Sequence, residues 1–325
     1  MNGLRERFLG TILGCAVGDA LGAPFEGAPP ASFRFSPDEP VRFRKIPGFP
    51  IGQYTDDTQL TLATMRAMCR TKSVDGAEIA AEFVKLWQRG EIVGPGASCT
   101  EAVHNMMSLG MSWEDAGTPP GRAGNGTAMR AAPIGLWHQA HPEHIERDAT
   151  ISSIITHRDP RSVAGTIAVA KAVSLCLESG KLSPCETLQN ISDSVRNTSR
   201  LFSQCIDELA EWLTLEPVDA LPRIYAAGDP DIGPRQPAWV TAYVIPTVLC
   251  SLYFFFRTPQ SFTESVVGGI NAGGDADTVG AITGAVSGAF NGISSIPSTL
   301  VETVKDSKEI LALTETFYEV TVSRT

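Results

Sequence analysis

No two cysteines in this chain are spaced as C-x-x-C, which removes zinc-ribbon and dithiol redox motifs at the outset. The cysteines themselves, Cys15, Cys69, Cys99, Cys176, Cys185, Cys205 and Cys250, are scattered and odd in number, and fit no disulfide framework. Basic charge is scarce as well: 26 Lys and Arg stand against 36 Asp and Glu, leaving a net charge of −10 and a pI near 5.0. That balance disfavours non-specific attraction to nucleic acid or to an acidic membrane surface, so neither is an expected partner. Long apolar runs are missing too. The best candidate, residues 243–256, carries Pro246 and falls short of the ~18–20 residues a membrane helix needs. Residues 1–6 lead straight into a Gly-rich, amphipathic helix with no small-residue cleavage site, so no signal peptide is read there. Neither a G-x-x-x-x-G-K-S/T phosphate loop nor a G-x-G-x-x-G after a strand occurs. What remains is the expectation of a soluble, cytoplasmic, enzyme-sized chain of 325 residues, 43% hydrophobic and only 19% charged.

The pattern that is present is helical. Apolar residues recur at three and four positions over residues 4–21, 58–69, 76–88, 161–178, 188–215, 238–256, 279–290 and 296–316. Alternation at period two is confined to residues 32–44, where Phe33, Phe35, Val41 and Phe43 alternate with Arg34, Arg42 and Arg44, as in a short hairpin or a proline-rich loop. Residues 226–237, rich in Gly, Asp and Pro, read as a loop within one domain rather than a linker. No repeat of 20–50 residues is evident. The expected fold is a single all-α domain over residues 1–325.

Two glycine ladders stand out. Gly10, Gly14, Gly18 and Gly22 recur at every fourth position, as do Gly280, Gly284, Gly288 and Gly292. Each strips one helix face of side chains at a cost of up to ~1 kcal/mol per Gly relative to Ala, which close approach of another helix would offset. Both helices are therefore expected at the centre of the fold, packed on each other. If they run antiparallel, Glu26 comes near Asp275 and Asp277.

Two short acidic segments precede helices: Gln53-Tyr54-Thr55-Asp56-Asp57-Thr58 and Gly273-Gly274-Asp275-Ala276-Asp277-Thr278. Singly, each reads as a helix cap, since Asp and Thr are favoured there. Together they offer an oxygen-only set suited to a hard cation such as Mg²⁺, Mn²⁺ or Ca²⁺. If four such carboxylates and Glu26 converge, repulsion would raise their proton affinities unless divalent ions neutralised them. A third segment, Gly124-Asn125-Gly126-Thr127-Ala128-Met129-Arg130, can present backbone N–H groups to an anion, with Arg130 facing either a phosphate or a structural carboxylate. His157, in T-H-R-D-P, is either a substrate contact or a structural residue. The stretch holding His138, His141 and His144 is broken by Pro142 and reads as a solvated turn rather than a ligand set.

In order along the chain, G-D-A-L-G-A-P-F-E, G-Q-Y-T-D-D-T, G-N-G-T-A-M-R, T-H-R-D-P and G-G-D-A-D-T resemble the motifs of the ADP-ribosylglycohydrolase family. The resemblance implies an orthogonal multi-helix bundle with a dinuclear cleft holding two Mg²⁺, Mn²⁺ often substituting. By position, Thr55, Asp56, Asp57, Asp275, Asp277 and Thr278 would be metal ligands. Glu26 would orient or deprotonate water, acting with Asp56 and Asp57. Gly124, Asn125, Gly126, Thr127, Met129, Arg130 and His157 would form the ADP-ribose site. The implied reaction is hydrolysis at the anomeric carbon of the ribose distal to adenine, with an ADP-ribosylated protein or small molecule as substrate. One departure is the segment 92–100, I-V-G-P-G-A-S-C-T, which lacks the aspartate often present in arginine-specific relatives and leaves the acceptor open. The basic stretch 32–50 is either a lid that reads the acceptor or a passive loop. The competing reading is a non-catalytic ADP-ribose binder or crystallin-like homologue, against which all six ligand positions and Glu26 are filled. A terpenoid-synthase-like D-D-x-x-D/E pattern fails, because Thr58, Gln59 and Leu60 follow Asp57.

Overall fold

The computed structural model describes residues 2–31, 35, 40–178, 182–228 and 238–324. Among these residues the chain forms sixteen α-helices and no strand, the only β-type pairing being isolated bridges. The first eight are α1 (Asn2–Gly22), α2 (Asp56–Thr71), α3 (Gly76–Gln88), α4 (Ala97–Leu109), α5 (Trp113–Ala116), α6 (Ala132–Trp137), α7 (Ile145–Ile154) and α8 (Pro160–Cys176). Then come α9 (Pro184–Val195), α10 (Arg200–Trp212), α11 (Pro217–Ala226), α12 (Val244–Arg257), α13 (Phe262–Asn271), α14 (Ala276–Asn291), α15 (Ser298–Thr303) and α16 (Ser307–Val322).

The two glycine ladders face each other at the centre. A Cβ placed on Gly14 would lie 2.2 Å from the carbonyl oxygen of Gly284, on Gly18 2.0 Å from that of Gly280, and on Gly22 2.2 Å from that of Ala276. Reciprocally, a Cβ on Gly288 would meet the Gly10 carbonyl oxygen at 1.9 Å. The helices run antiparallel, backbone on backbone, closer than any side chain permits. Around this pair one apolar core extends from Phe8 to Phe317, and a smaller cluster gathers Leu60, Phe83, Cys99, Val103 and Met129 beside it.

Several expectations are corrected. The first helix is not amphipathic: Phe8, Ile12, Leu13, Ala16 and Val17 are all buried, so it is enclosed on every side. With the turn Ala23–Phe25 it forms a 23-residue stretch, Gly3–Phe25, long and apolar enough to cross a membrane; 83% of its most apolar window is buried within the fold, as in a core helix. Residues 188–215 are two helices, because Ser199 starts α10 by accepting a hydrogen bond from Phe202 N at 3.2 Å. Residues 296–316 are likewise split between α15 and α16 at Asp306, which has φ of 55°. Helix α12 starts at Val244, so that Pro246 sits in its first turn, where no N–H is required. Helices α4, α7, α11 and α13 were not expected. Of the supposed hairpin or loop at 32–44, the described residues carry no strand and 32–34 and 36–39 lie outside the described residues, as do 229–237 of the loop at 226–237.

The ladder contact makes a sharp stability prediction. Gly18→Ala should cost about 3 kcal/mol or more, at the upper end of overpacking penalties, because a helix backbone must move. Gly3→Ala, with nothing within 4 Å of the added carbon, should be neutral or stabilising by up to about 1 kcal/mol. Urea unfolding of the two variants against the parent measures both, and equal stabilities would contradict the contact.

Candidate active site

The ladder register fixes the site. Because Gly22 rests on Ala276, the end of α1 meets the start of α14, and the chain beyond it is clamped: Gly27 N donates to Gly274 O at 2.7 Å and Gly274 N to Ala28 O at 2.8 Å. Gly274, with φ of 74°, also lies against the Val240 carbonyl, where a Cβ would sit at 1.8 Å. No other residue type fits that corner. From it, Asp275 N donates to Val240 O at 3.0 Å, and α14 begins with Asp277 and Thr278 turned inward.

The second acidic segment reaches the same place through a residue the sequence reading passed over. Asp19, on α1 beside Gly18, is completely buried and accepts hydrogen bonds from Thr55 N (2.9 Å) and Thr58 N (3.0 Å), and from the hydroxyls of Thr55 (3.0 Å) and Thr58 (2.6 Å). It therefore caps α2 from another helix. Thr55 and Asp275, at the two N-cap positions, make no side-chain cap of their own. The capping reading of both segments is thus set aside, and their carboxylates are left for other work. The two segments do meet: Asp57 Oδ2 is approached by Thr55 Oγ1 at 3.3 Å and by Thr278 Oγ1 at 3.5 Å. Asp57 Oδ1 is buried with no partner.

These residues open onto a cleft of about 230 Å³ whose lining includes Glu26, Asp56, Asp57, Asp275, Asp277 and Thr278 on one side. Facing them are Gly124, Asn125, Gly126, Met129 and His157, all expected there, together with Ala242 and the wall Gly94, Gly96, Ala97, Ser98 and Cys99. That wall, at the start of α4, is the segment lacking the aspartate. Three expected site residues stand one layer behind. Thr55 binds Asp19, Thr127 donates to Ser162 O at 2.9 Å, and Arg130 is fully buried, outside the cleft lining and in no ion pair among the described residues, with Asp56 acting on it through space. Asn125 ties the loop to the acidic side, its Nδ2 donating to Asp275 Oδ2 at 2.6 Å and Thr247 Oγ1 at 3.0 Å. His138, His141 and His144 do not line the cleft; His138 is buried rather than solvated, 2.7 Å from Asp148 through Nε2, whereas His141 is exposed. The described part of the 32–50 stretch packs next to the site, with Arg44 lying 5.1 Å over the ring of Phe25.

Electrostatically the cleft is overloaded. Burial, then repulsion from Asp19, holds Asp56 and Asp57 well above the usual carboxylate range. Asp277 is raised the same way, by burial and then by Asp275 and Glu26. Half-burial and Asp275 raise Glu26. Even Asp19, with its four donors, is pushed up to about 6 by burial. Cys99 is no nucleophile, since burial raises its thiol to about 11. Among the described residues, no three His, Cys, Asp or Glu side chains stand in a preformed metal-binding group. The donors at the cleft floor are nonetheless all oxygen, the set suited to hard cations.

An all-α scaffold with a carboxylate-lined cleft at two helix starts, faced by a glycine-framed loop, defines a hydrolytic rather than a thiol-based site. The chain belongs to the ADP-ribosylglycohydrolase family, whose model matches residues 1–325. It is 30% identical to the ADP-ribosyl-(dinitrogen reductase) glycohydrolase of Rhodospirillum rubrum, over 91% of this chain and 89% of that one. It is 25% identical to the ADP-ribosylarginine hydrolase Tri1 of Serratia proteamaculans (96% and 79%) and 24% to the ADP-ribosylhydrolase ARH3 of Mus musculus (97% and 92%). A solved structure described as an ADP-ribosylglycohydrolase-related protein complex superposes with a TM-score of 0.76 at 25% identity, covering 99% of this chain and 100% of that one. The protein is accordingly an enzyme, a hydrolase of ADP-ribosyl linkages.

A pH dependence follows. A buried carboxyl with raised affinity keeps its proton in the folded state after the unfolded chain has released it, so stability falls as pH rises through that interval. For Asp19 the interval runs from 3.8 to about 6, and Asp56, Asp57 and Asp277, also raised, act in the same direction. Groups with lowered values, such as Asp148 and Asp159, act below it. Metal-free protein should therefore show a Tm that declines from pH 4 upward through about 6, less steeply in Asp57→Asn; calorimetry in chelator checks this, and a rising Tm contradicts it.

Proposed function

We propose that this protein is a divalent-metal-dependent hydrolase that cleaves the bond between the anomeric carbon of ADP-ribose and its acceptor, a protein side chain or a small conjugate, releasing ADP-ribose. The observation that carries this reading is the meeting of Asp57 with Thr278, 221 residues apart, in segments whose N-cap residues make no side-chain cap of their own. The names of the relatives support the substrate class: an ADP-ribosylated dinitrogen reductase in one, ADP-ribosylarginine in another.

Asp56, Asp57, Asp275, Asp277 and Thr278 would hold two Mg²⁺, with Mn²⁺ substituting; Thr55, also expected as a ligand, would join them only by turning its hydroxyl from Asp19 toward Asp57, whose Oδ2 is 3.3 Å away. The fit is supported by the all-oxygen donor set, by the unpartnered buried Oδ1 of Asp57 and by carboxylates that have no Lys or Arg among the cleft-lining residues. When bound, the ions supply positive charge for ribose hydroxyls and for water. The remaining work belongs to the chain. Glu26, half-buried and raised in proton affinity, is suited to take a proton from the attacking water, as paired carboxylates do in glycoside hydrolysis. Asn125, anchored on Asp275, keeps the loop Gly124–Gly126 in register with the acidic side. The free state of all seven cysteines supports a reducing, cytoplasmic setting.

Release of ADP-ribose from arginine- and serine-linked substrates tests the proposal. With Mg²⁺ one of them should turn over, and chelator should abolish it. Asp57→Ala should lower kcat/KM by at least about 100-fold, beyond what outer-shell changes cost, and Glu26→Gln should lower kcat by about 100- to 10,000-fold. Turnover in chelator, or parental activity in Asp57→Ala, would refute it.

A further inference from the structure

Behind the cleft wall stands a guanidinium that forms no ion pair among the described residues, with Asp56 acting on it only through space. Arg130 donates to the carbonyl oxygens of Gly126 and, at 3.0 Å, Ser152, and to Thr156 Oγ1 at 2.7 Å, while its face rests 4.9 Å over the ring of Phe83. A charge buried on those terms is costly, and Arg130 itself does not line the cleft, although Gly126 and Cys99, whose sulfur lies 4.0 Å from its Nη1, do. So does the next contact. His157 Nδ1 lies 2.9 Å from the same Thr156 oxygen, and the ring lines the cleft.

Arginine has donors only, so its bond to Thr156 runs in one direction and takes one of the two lone pairs of the hydroxyl oxygen. The single hydroxyl proton is then free to be given away. Two acceptors are at hand, the Cys99 sulfur and His157 Nδ1. A thiol is the weaker acceptor, so the proton points to the imidazole. Nδ1 is thereby bare and the ring hydrogen resides on Nε2. That nitrogen sits over the glycines of the substrate loop: a Cβ would lie 2.7 Å from it on Gly124 and 3.6 Å from it on Gly126. Among the described residues it has no protein partner.

We propose that Arg130 is a positioning residue: acting through Thr156, it fixes His157 as the neutral Nε2–H tautomer, an aimed hydrogen-bond donor for an oxygen of the bound substrate. The charged groups around the ring agree with this. Burial, then Arg130 and Arg122, oppose a second proton and only Asp159 favours it, which holds the imidazole down to about 3. The tautomer assignment is independent of the hydrolase reading; the contribution to substrate affinity rests on it.

Nitrogen-15 NMR of histidine-labelled full-length protein reads the tautomer directly. Parent protein should show His157 with bare Nδ1 and protonated Nε2, unchanged from pH 5 to 8. Thr156→Val should give a mixture of tautomers and Thr156→Ser should restore the single form. With an ADP-ribosyl substrate, Thr156→Val should raise KM about 5- to 10-fold, the loss of one hydrogen bond, with kcat within about 2-fold. A protonated Nδ1 in the parent, or an unchanged spectrum in Thr156→Val, overturns the proposal. Should Thr156→Val not fold, the parent spectrum decides alone. If the tautomer pattern holds while no ADP-ribosyl substrate is cleaved, the functional reading falls and the positioning role stands.

Discussion

Everything in the site depends on two helix backbones touching without side chains between them. The contact of Gly10, Gly14, Gly18 and Gly22 with Ala276, Gly280, Gly284 and Gly288 leaves no freedom for either helix to slide, because a shift of one residue would drive an Ala, Val or Cys side chain into a carbonyl. A register held this way is worth more to a catalytic site than its contribution to stability suggests. It places Asp19 under α2 and Glu26 opposite Asp275, so that acidic groups from the two ends of the chain share one origin of coordinates. Sites carried on rigid elements hold their geometry better than sites carried on loops, and here the loops that remain, at Gly27 and Gly274, are pinned to each other by two backbone hydrogen bonds.

The same convergence works against stability. Asp56, Asp57 and Asp277 are at least nine-tenths buried beside one another, and no Lys or Arg is among the cleft-lining residues. The hydrogen bonds of Asp56 and Asp57 are few and long, and one oxygen of Asp57 has none, while Asp277 accepts from Thr278 N at 3.0 Å. Asp19 differs: it is spent on capping, with four donors satisfying it. Evolution could have capped α2 from Thr55 and α14 from Asp275, as helices ordinarily are; a distant aspartate does the first task instead and the second is left undone. Burying unpaired charge is among the costliest arrangements a fold can keep, which argues that these carboxylates serve chemistry rather than architecture.

Much of this was legible in the amino-acid order. Period-four glycines announce a helix pair in backbone contact, and the pairing of Gly22 with the start of α14 follows from antiparallel packing. The motifs at 53–58 and 273–278 were legible as a cation-type site because both carry paired aspartates and a threonine. Asp19 left a signal that went unused: it is the one charged residue between Arg7 and Glu26, and a lone carboxylate in an apolar helix needs a buried reason. The helix break at Ser199 was hidden because the apolar period continues across it, whereas the cap that ends the run depends on a single hydroxyl. Arg130 was misjudged for a different cause. Sequence places it next to the substrate loop, but a turn of backbone sends its side chain inward, under Gly126, and only coordinates can tell the two sides of a loop apart.

The charge of the substrate closes the physical picture. ADP-ribose carries its negative charge on a pyrophosphate, and this protein has an excess of ten acidic groups. The arginines nearest the substrate loop are already engaged, Arg122 by Glu101 at 2.5 Å, Arg158 by Asp115 at 3.9 Å and Arg161 by Asp159 at 2.9 Å. Long-range attraction therefore cannot gather the ligand, and the neutral His157 adds no charge to help. On the proposed reading, recognition comes from short-range donors such as the ring hydrogen of His157, acting where the acidic floor has been neutralised. On the proposed reading that neutralisation precedes the substrate: an anion entering a cleft of five bare carboxylates would meet repulsion at low dielectric, and the same carboxylates, once charge-compensated, become the firmest attachment the sugar has.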